Sequence, residues 1–167
     1  MWEMQESQGA LERAYSLYQR SLKMLESSLG LLDQRLCPAL DKLATLSLRF
    51  GRDKDALAYR RKIVAILEKA LPPDHPLLAD NWSALAEAYT KCDEYAQAER
   101  CCLKSLKINR AIHGREHPIV EAQLSELSWL CAQQGRVEDA NRYQDEAENL
   151  HLALIQEAGA IAETARN

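Results

Sequence analysis

Hydrophobic side chains recur at helical spacing through most of this chain. Leu78, Trp82, Leu85 and Tyr89 follow one another at i, i+4, i+7 and i+11, so they lie on one face of a helix. A second stripe of small and apolar residues follows, made of Ala98, Cys102, Ser105, Ile108 and Ile112. The pattern therefore predicts a pair of helices, each with one face to bury.

The same pattern returns at an interval of 42 residues. Its landmark is a His-Pro step, present as Pro73-Asp74-His75-Pro76 and as Arg115-Glu116-His117-Pro118. Large apolar residues coincide at this offset in three registers: Leu36, Leu78 and Val120; Leu40, Trp82 and Leu124; Leu43, Leu85 and Leu127. Small residues coincide in two more: Ala44, Ala86 and Ser128; Ala14, Ala56, Ala98 and Ala140. So many coincidences at one offset indicate a true structural repeat.

Each repeat unit reads as helix, turn, helix. Gly51, Asp93 and Gly135 share the register between the two stripes, and glycine adopts the positive φ of a tight turn at little cost. Pro76 and Pro118 fall where a first helical residue is expected, a position that tolerates proline. One such hairpin cannot cover its own apolar stripe, so the units are expected to stack.

These signals predict an all-α array of stacked antiparallel hairpins over residues 1–167. Helices are expected at about 10–29, 35–49, 54–71, 77–91, 95–112, 119–133 and 137–163. The predicted divisions are a partial unit 1–33, units at about 34–75, 76–117 and 118–150, and a helical extension 151–167. Residues 1–8 match only the tail of a first helix, so either the chain begins within a repeat or a short helix caps the array.

The predicted final helix is longer than its counterparts. Its apolar stripe continues through Ala147, Leu150, Leu154, Ala158 and Ile161. We expect this stripe to cover the open end of the array. Self-association through the same stripe, which would give a homodimer, is the alternative.

Composition excludes several classes of function. The net charge of −4 argues against a nucleic-acid binder, which needs a concentrated positive field. No apolar run approaches the length of a membrane-spanning helix, and the start of the chain does not resemble a secretory signal. The five cysteines show no paired spacing, which favours free thiols in a reducing compartment and hence a cytoplasmic protein.

Candidate catalytic and metal-binding groups are sparse. His113 and His117 are separated by a predicted turn, unlike the two histidines of a helical metal site. Cys92, Cys101 and Cys102 lack the spacing of a zinc site, so core thiols are the better interpretation. We therefore expect no enzyme activity, no metal and no cofactor.

The residues of the second complete unit resemble a known repeat family. Leu85-Ala86-Glu87-Ala88-Tyr89, Asp93-Glu94-Tyr95-Ala96-Gln97-Ala98-Glu99 and Leu103-Lys104-Ser105-Leu106-Lys107-Ile108 resemble a tetratricopeptide repeat. The following Gly114-Arg115-Glu116-His117-Pro118 is similar to the loop of the 42-residue variety found in kinesin light chains and nephrocystin-like proteins. The resemblance, over about residues 9–150, implies a right-handed superhelix of helix hairpins that binds proteins and does not catalyse. Where kinesin light chains carry paired asparagines, this chain has Asp41-Lys42, Ser83-Ala84 and Ser125-Glu126.

In such an array the first helices of the hairpins line a concave groove. The predicted groove residues are Asp41, Thr45, Arg49, Ser83, Glu87, Lys91, Ser125, Trp129 and Gln133. Arg49 and Lys91 share a register and are expected to meet acidic groups of a protein or peptide segment. Trp129 is either an anchor for an aromatic-bearing partner or is covered by the long last helix.

Overall fold

A computed structural model describes the backbone of residues 2–164 and the side chains of residues 9–156. Its helices are α1 (Trp2–Leu29), α2 (Cys37–Arg49), α3 (Asp53–Ala70), α4 (Pro76–Lys91), α5 (Tyr95–His113), α6 (Pro118–Gln133) and α7 (Val137–Thr164). A short 3-10 helix, Gln34–Leu36, precedes α2, and residues 2–164 contain no strand. The predicted all-α class is confirmed. Met1 and residues 165–167 of the predicted array, and the side chains of Ala158 and Ile161 in the final stripe, lie outside the described residues.

The helices pack in chain order. Hairpins form from α2 with α3, α4 with α5 and α6 with α7, and each hairpin stacks on the next through α3 with α4 and α5 with α6. Among the α-helices described, the pairs with close backbone packing are adjacent along the chain, as in a solenoid in which each repeat contacts only its neighbours. We call α2, α4 and α6 the first helices, and α3, α5 and α7 the second helices. The N-terminal α1 packs on α2 and begins at Trp2, earlier than the predicted residue 10.

The turns and caps explain where the helices begin and end. His75 and His117 precede α4 and α6, and the Nδ1 of each accepts a hydrogen bond from the backbone N–H two residues later, at 3.1 Å and 3.2 Å. Between the helices of the hairpins, Gly51, Asp93 and Gly135 have φ of 64°, 59° and 74°. Aspartate is one of the few residues that enters this left-handed region with little strain. The register of Gly51, Asp93 and Gly135 therefore forms the same kind of turn in all three hairpins, although one of its members is not glycine.

The small-residue registers lie where the two helices of a hairpin approach each other. The Ser128 Oγ donates a hydrogen bond to the Ala140 carbonyl at 2.9 Å, which joins α6 directly to α7. In the preceding hairpin the same two registers hold Ala86 and Ala98, and neither side chain is exposed. A side chain larger than alanine or serine would hold the helix axes further apart.

Ion pairs that also follow the 42-residue interval join α1 to α3, α3 to α5 and α5 to α7. The three pairs join residues 36 positions apart: Glu26 with Lys62, Glu68 with Lys104 at 3.3 Å, and Arg110 with Glu146 at 2.5 Å. In the third pair the signs of the two charges are exchanged, so the attraction is kept. Pairs this exposed each contribute about 0.2–1 kcal/mol. The apolar stripes therefore supply most of the stability of the stack.

Glu99 ties the second and third complete hairpins together. This residue of α5 accepts hydrogen bonds from Arg136 and from the Gln134 Nε2 at 2.9 Å, both in the turn between α6 and α7. Burial raises the pKa of the Glu99 carboxyl, but the hydrogen bonds from Arg136 and Gln134 outweigh it and lower the pKa overall. The carboxylate is therefore more stable in the folded chain than in the unfolded one.

We expect Glu99→Gln to lower the free energy of unfolding at neutral pH by about 1 kcal/mol, because charge-assisted hydrogen bonds across the hairpin junction are lost. A carboxyl with a lowered folded-state pKa contributes stability above its ordinary pKa of 4.5 and loses it as the pH falls through the folded value. The gap between the variant and the wild type should therefore narrow as the pH falls below 4.5 and through the lowered folded-state pKa. Urea denaturation at neutral and acidic pH measures it, and a gap that does not depend on pH would contradict this role.

Candidate partner-binding surfaces

Basic side chains end two of the first helices. Arg49 is the last residue of α2 and Lys91 the last residue of α4, and both side chains are exposed. Gln133 ends α6 in the same register and is also exposed. Positive charge is favoured at a helix C-terminus. Neither base forms an ion pair with a side chain among residues 9–156, so both can meet a partner.

Trp129 on α6 is half-covered. Its ring packs edge-on against Tyr95 at the start of α5, with 5.7 Å between ring centroids. The side chain still keeps 46% of its surface exposed. A tryptophan held by one neighbour and otherwise open is the type of side chain that anchors partners.

Ser83 lies inside a junction between hairpins. Its hydroxyl forms a hydrogen bond with the Ser105 Oγ at 2.9 Å and accepts one from the Gln123 Nε2 at 3.2 Å. Because these contacts come from α5 and α6, the Ser83 hydroxyl is hydrogen-bonded within the fold, and its place in the groove stays a prediction. The periodicity of one helix cannot show where the next hairpin packs on it.

The other members of this register also turn toward second helices. Asp41 pairs with Arg60 of α3 at 2.6 Å. Ser125 is exposed and borders a cavity of about 340 Å³ that is also lined by Gln144 and His151 of α7. The Thr45 hydroxyl bonds back to the Asp41 carbonyl at 2.9 Å, within its own helix. Two registers of the first helices therefore stay exposed to a partner. One contains Arg49, Lys91 and Gln133, and the other contains Thr45, Glu87 and Trp129.

Glu87 on α4 lies close enough to Glu126 on α6 for its charge to act on the Glu126 carboxyl. Glu87 is exposed, whereas Glu126 is half-buried with one oxygen 3.7 Å from the Cys102 Sγ. Burial raises the pKa of the Glu126 carboxyl, and the charge of Glu87 adds to the increase. The repeat pattern does not single out Glu126, since its register holds Lys42 and Ala84 in the other units. The first helices thus present an acidic centre beside basic ends.

A groove that the sequence analysis did not predict runs between two second helices, α3 and α5. Two adjoining cavities of about 630 Å³ and 350 Å³ share Glu68, Trp82 and Lys104. We call this the α3–α5 groove. Its floor is the apolar stripe of α4, Leu78, Trp82, Leu85 and Tyr89. The Lys104 Nζ lies 3.7 Å from the centroid of the Trp82 ring, close enough for a cation–π interaction.

Three of the five cysteine thiols belong to the core. Cys101, Cys102 and Cys131 are buried. Burial raises the pKa of the Cys101 thiol to about 11 and raises that of Cys102 further, so both are protonated at neutral pH and are poor nucleophiles.

Within the described part of the chain, no three His, Cys, Asp or Glu side chains gather as metal ligands would. Likewise, no helix described here is long and apolar enough to cross a membrane.

Comparison with known proteins places these helices in a family. Family models described as tetratricopeptide repeat match residues 39–77 and 77–153. A clustered mitochondria protein homolog of Aedes aegypti is 23% identical over 145 residues, which cover 87% of this chain and 10% of that protein. The human tetratricopeptide repeat protein 19, mitochondrial, is 26% identical over 159 residues, covering 85% of this chain and 42% of that protein. The chain thus spans about a tenth of the mosquito relative and less than half of the human one.

The architecture also has a solved counterpart. A crystal structure from Podosopora anserina, described as a kinesin light chain with nearly identical TPR-like repeats, superposes with a TM-score of 0.75 at 20% identity. The superposition covers 90% of this chain and 72% of that one. At this identity the likeness establishes the fold. The chain belongs to the tetratricopeptide repeat family, and its hairpins form the all-α superhelix seen in kinesin light chain-like repeats.

Proposed function

We propose that this array is a protein-interaction scaffold whose first helices hold a segment of a partner protein. Tetratricopeptide repeat proteins are in general scaffolds and not catalysts, and the match to that family covers most of the hairpins. The observation that carries the proposal is the surface of α2, α4 and α6. It presents the exposed bases Arg49 and Lys91 in one register and the half-exposed Trp129 in the next unit.

The chemistry of this surface constrains the partner. Acidic side chains of an extended segment would meet Arg49 and Lys91, while an aromatic or other apolar side chain would contact Trp129. The Glu87 and Glu126 pair would repel acidic groups placed between those positions. The proposed partner is therefore a protein or peptide segment with acidic groups at one edge and an apolar anchor. A nucleic acid is not proposed, given the net charge of −4.

We expect Arg49→Glu with Lys91→Glu to weaken partner binding about tenfold, because two attractive contacts become repulsive. The melting temperature should stay within about 2 °C of wild type, since both side chains are exposed. Affinity capture with mass spectrometry would identify the partner, and titration calorimetry would measure its affinity.

The matched control is Arg20→Glu with Lys23→Glu, which makes the same change of charge at exposed positions of α1. Wild-type affinity in the Arg49 and Lys91 variant would reject the first-helix surface as the binding site.

A cytoplasmic location is part of the same proposal. Its support is the set of five free cysteines, since a reducing compartment keeps thiols unpaired. Fluorescence microscopy of the tagged full-length protein tests this location, and co-localisation with a mitochondrial marker would overturn it.

Self-association through α7 is the second candidate function. Leu152 and Ile155 lie exposed on α7, and such side chains could pack against a second copy. Light scattering after size exclusion separates the two candidates, because a homodimer would lose mass on dilution and in Leu152→Glu with Ile155→Glu. A constant monomer mass across a wide concentration range would exclude self-association as the function.

A further inference from the structure

We infer that the α3–α5 groove is a second docking site, which takes an acidic peptide segment carrying an aromatic or branched apolar side chain. This site is formed by the second helices and the face of α4 between them, so it is distinct from the surface proposed for the first helices. Either binding site can exist without the other.

The groove has the size and the floor of a binding site. Its larger cavity, about 630 Å³, falls in the range of pockets that enclose a small ligand or a few side chains. Leu71, Leu78, Trp82 and Ile108 supply apolar surface at its base. An aromatic or branched side chain inserted there would exchange water for apolar contact.

The rim carries more positive than negative charge. Four bases line the two cavities, Arg61, Arg100, Lys104 and Lys107, against two acids, Glu68 and Asp74. Among the described side chains, Lys104 is the one of these bases that forms an ion pair, with Glu68 at 3.3 Å. The remaining excess of positive charge complements acidic residues that flank an apolar anchor.

The other junctions show that this combination is not a requirement of the repeat. At the registers of Trp82, Lys104 and Lys107, the preceding junction has Leu40, Lys62 and Ala65. The following junction has Leu124, Glu146 and Asn149. Leu40 and Leu124 are fully or almost fully buried in their own junctions, so an aliphatic side chain suffices for packing there. The aromatic floor with two lysines is particular to the α3–α5 groove.

The test uses the full chain and an array of fluorescent synthetic peptides rich in Asp and Glu, each with one Phe or Leu anchor at a varied position. Two matched arrays replace the acids by Asn and Gln, or the anchor by Ser. We expect members of the first array to bind about tenfold more tightly than both counterparts in fluorescence polarisation. Equal binding by all three arrays, or no binding by any, would overturn the inference.

Variants then locate the binding. Lys104→Glu with Lys107→Glu should weaken peptide binding about tenfold. Arg49→Glu with Lys91→Glu and Arg20→Glu with Lys23→Glu should leave it unchanged. Lys107→Glu alone leaves the Glu68–Lys104 pair intact, so it separates lost charge from a disturbed helix junction.

A gain of affinity is the result that a merely structural role would not produce. Glu68→Gln removes a negative charge from the rim and releases Lys104, so the acidic peptides should bind about two- to fivefold more tightly. Peptide binding should also change tryptophan emission in Trp129→Phe and not in Trp82→Phe.

Two outcomes would contradict peptide binding in the α3–α5 groove without contradicting the function proposed for the first helices. One is peptide binding that responds to the Arg49 and Lys91 changes and not to Lys104 and Lys107. The other is a wild-type dimer in light scattering that Lys107→Glu dissociates, which would make a second copy the occupant.

Discussion

Gln123→Ala is expected to lower the free energy of unfolding by about 3 kcal/mol, because it leaves buried polar groups without partners. Gln123 is 5% exposed, and its Nε2 donates to the Ser105 Oγ at 2.6 Å and to the Ser83 Oγ at 3.2 Å. Its Oε1 accepts from the Asn109 Nδ2 at 3.1 Å. One side chain thus joins α4, α5 and α6, and its loss should weaken the junction between two hairpins.

Urea denaturation of wild type, Gln123→Ala and an exposed control, Gln144→Ala, measures this effect. A second variant, Asn109→Leu with Gln123→Leu, should recover much of the loss, because replacing both partners by apolar groups removes the unpaired atoms. The preceding unit already has Leu67 at the register of Asn109, and that side chain is buried. A Gln123→Ala loss no greater than that of the Gln144 control would show that the network does not hold the hairpins together.

The helices and turns were predictable because their causes are local. A stripe at i, i+4 and i+7 requires only that one helix face be buried, and α4 and α5 begin and end within two residues of the expected positions. Asp93 occupies the glycine register of the turn and shares its positive φ, so the repeat interval identified this turn without a glycine. Even His75 and His117 lie where the interval placed them, and the structure adds that they cap helices.

The binding surfaces were less predictable because they depend on contacts between hairpins. Ser83 belongs to a polar stripe by sequence, yet α6 supplies Gln123 to cover it. The register of Glu126 holds Lys42 in one unit and Ala84 in another. The repeat interval therefore gives no sign that Glu126 lies near Glu87. Trp82 aligns with two leucines, which predicts a core position, and its side chain is indeed buried. Only the spacing of α3 and α5 shows the groove above it.

The early start of α1 has a similar explanation. Residues 2–9 continue the helix of residues 10–29, although the repeat interval matches residues 1–8 to the tail of a first helix. Helix propensity is local, and a match of a few residues at the repeat interval does not override it.

Ala98→Leu is expected to lower the free energy of unfolding by about 1–3 kcal/mol, because the side chain would overpack the crossing of α4 and α5. The Ser128–Ala140 hydrogen bond places those two registers in contact, and Ala86 and Ala98 hold the same registers in this hairpin with no exposed surface. A leucine needs space that the crossing cannot give unless the helices move apart, which would disturb the floor of the α3–α5 groove as well.

Ala96→Leu is the matched control, since Ala96 is exposed on the same helix two residues away and the added side chain meets solvent. Thermal and urea denaturation should separate the two variants, with Ala96→Leu close to wild type. Ala56→Leu, at the equivalent crossing of α2 and α3, should behave like Ala98→Leu because its side chain is also fully buried. Wild-type stability in both buried variants would mean that the alanine registers do not mark the helix crossings, and the 42-residue repeat would then have no structural counterpart in the packing of the hairpins.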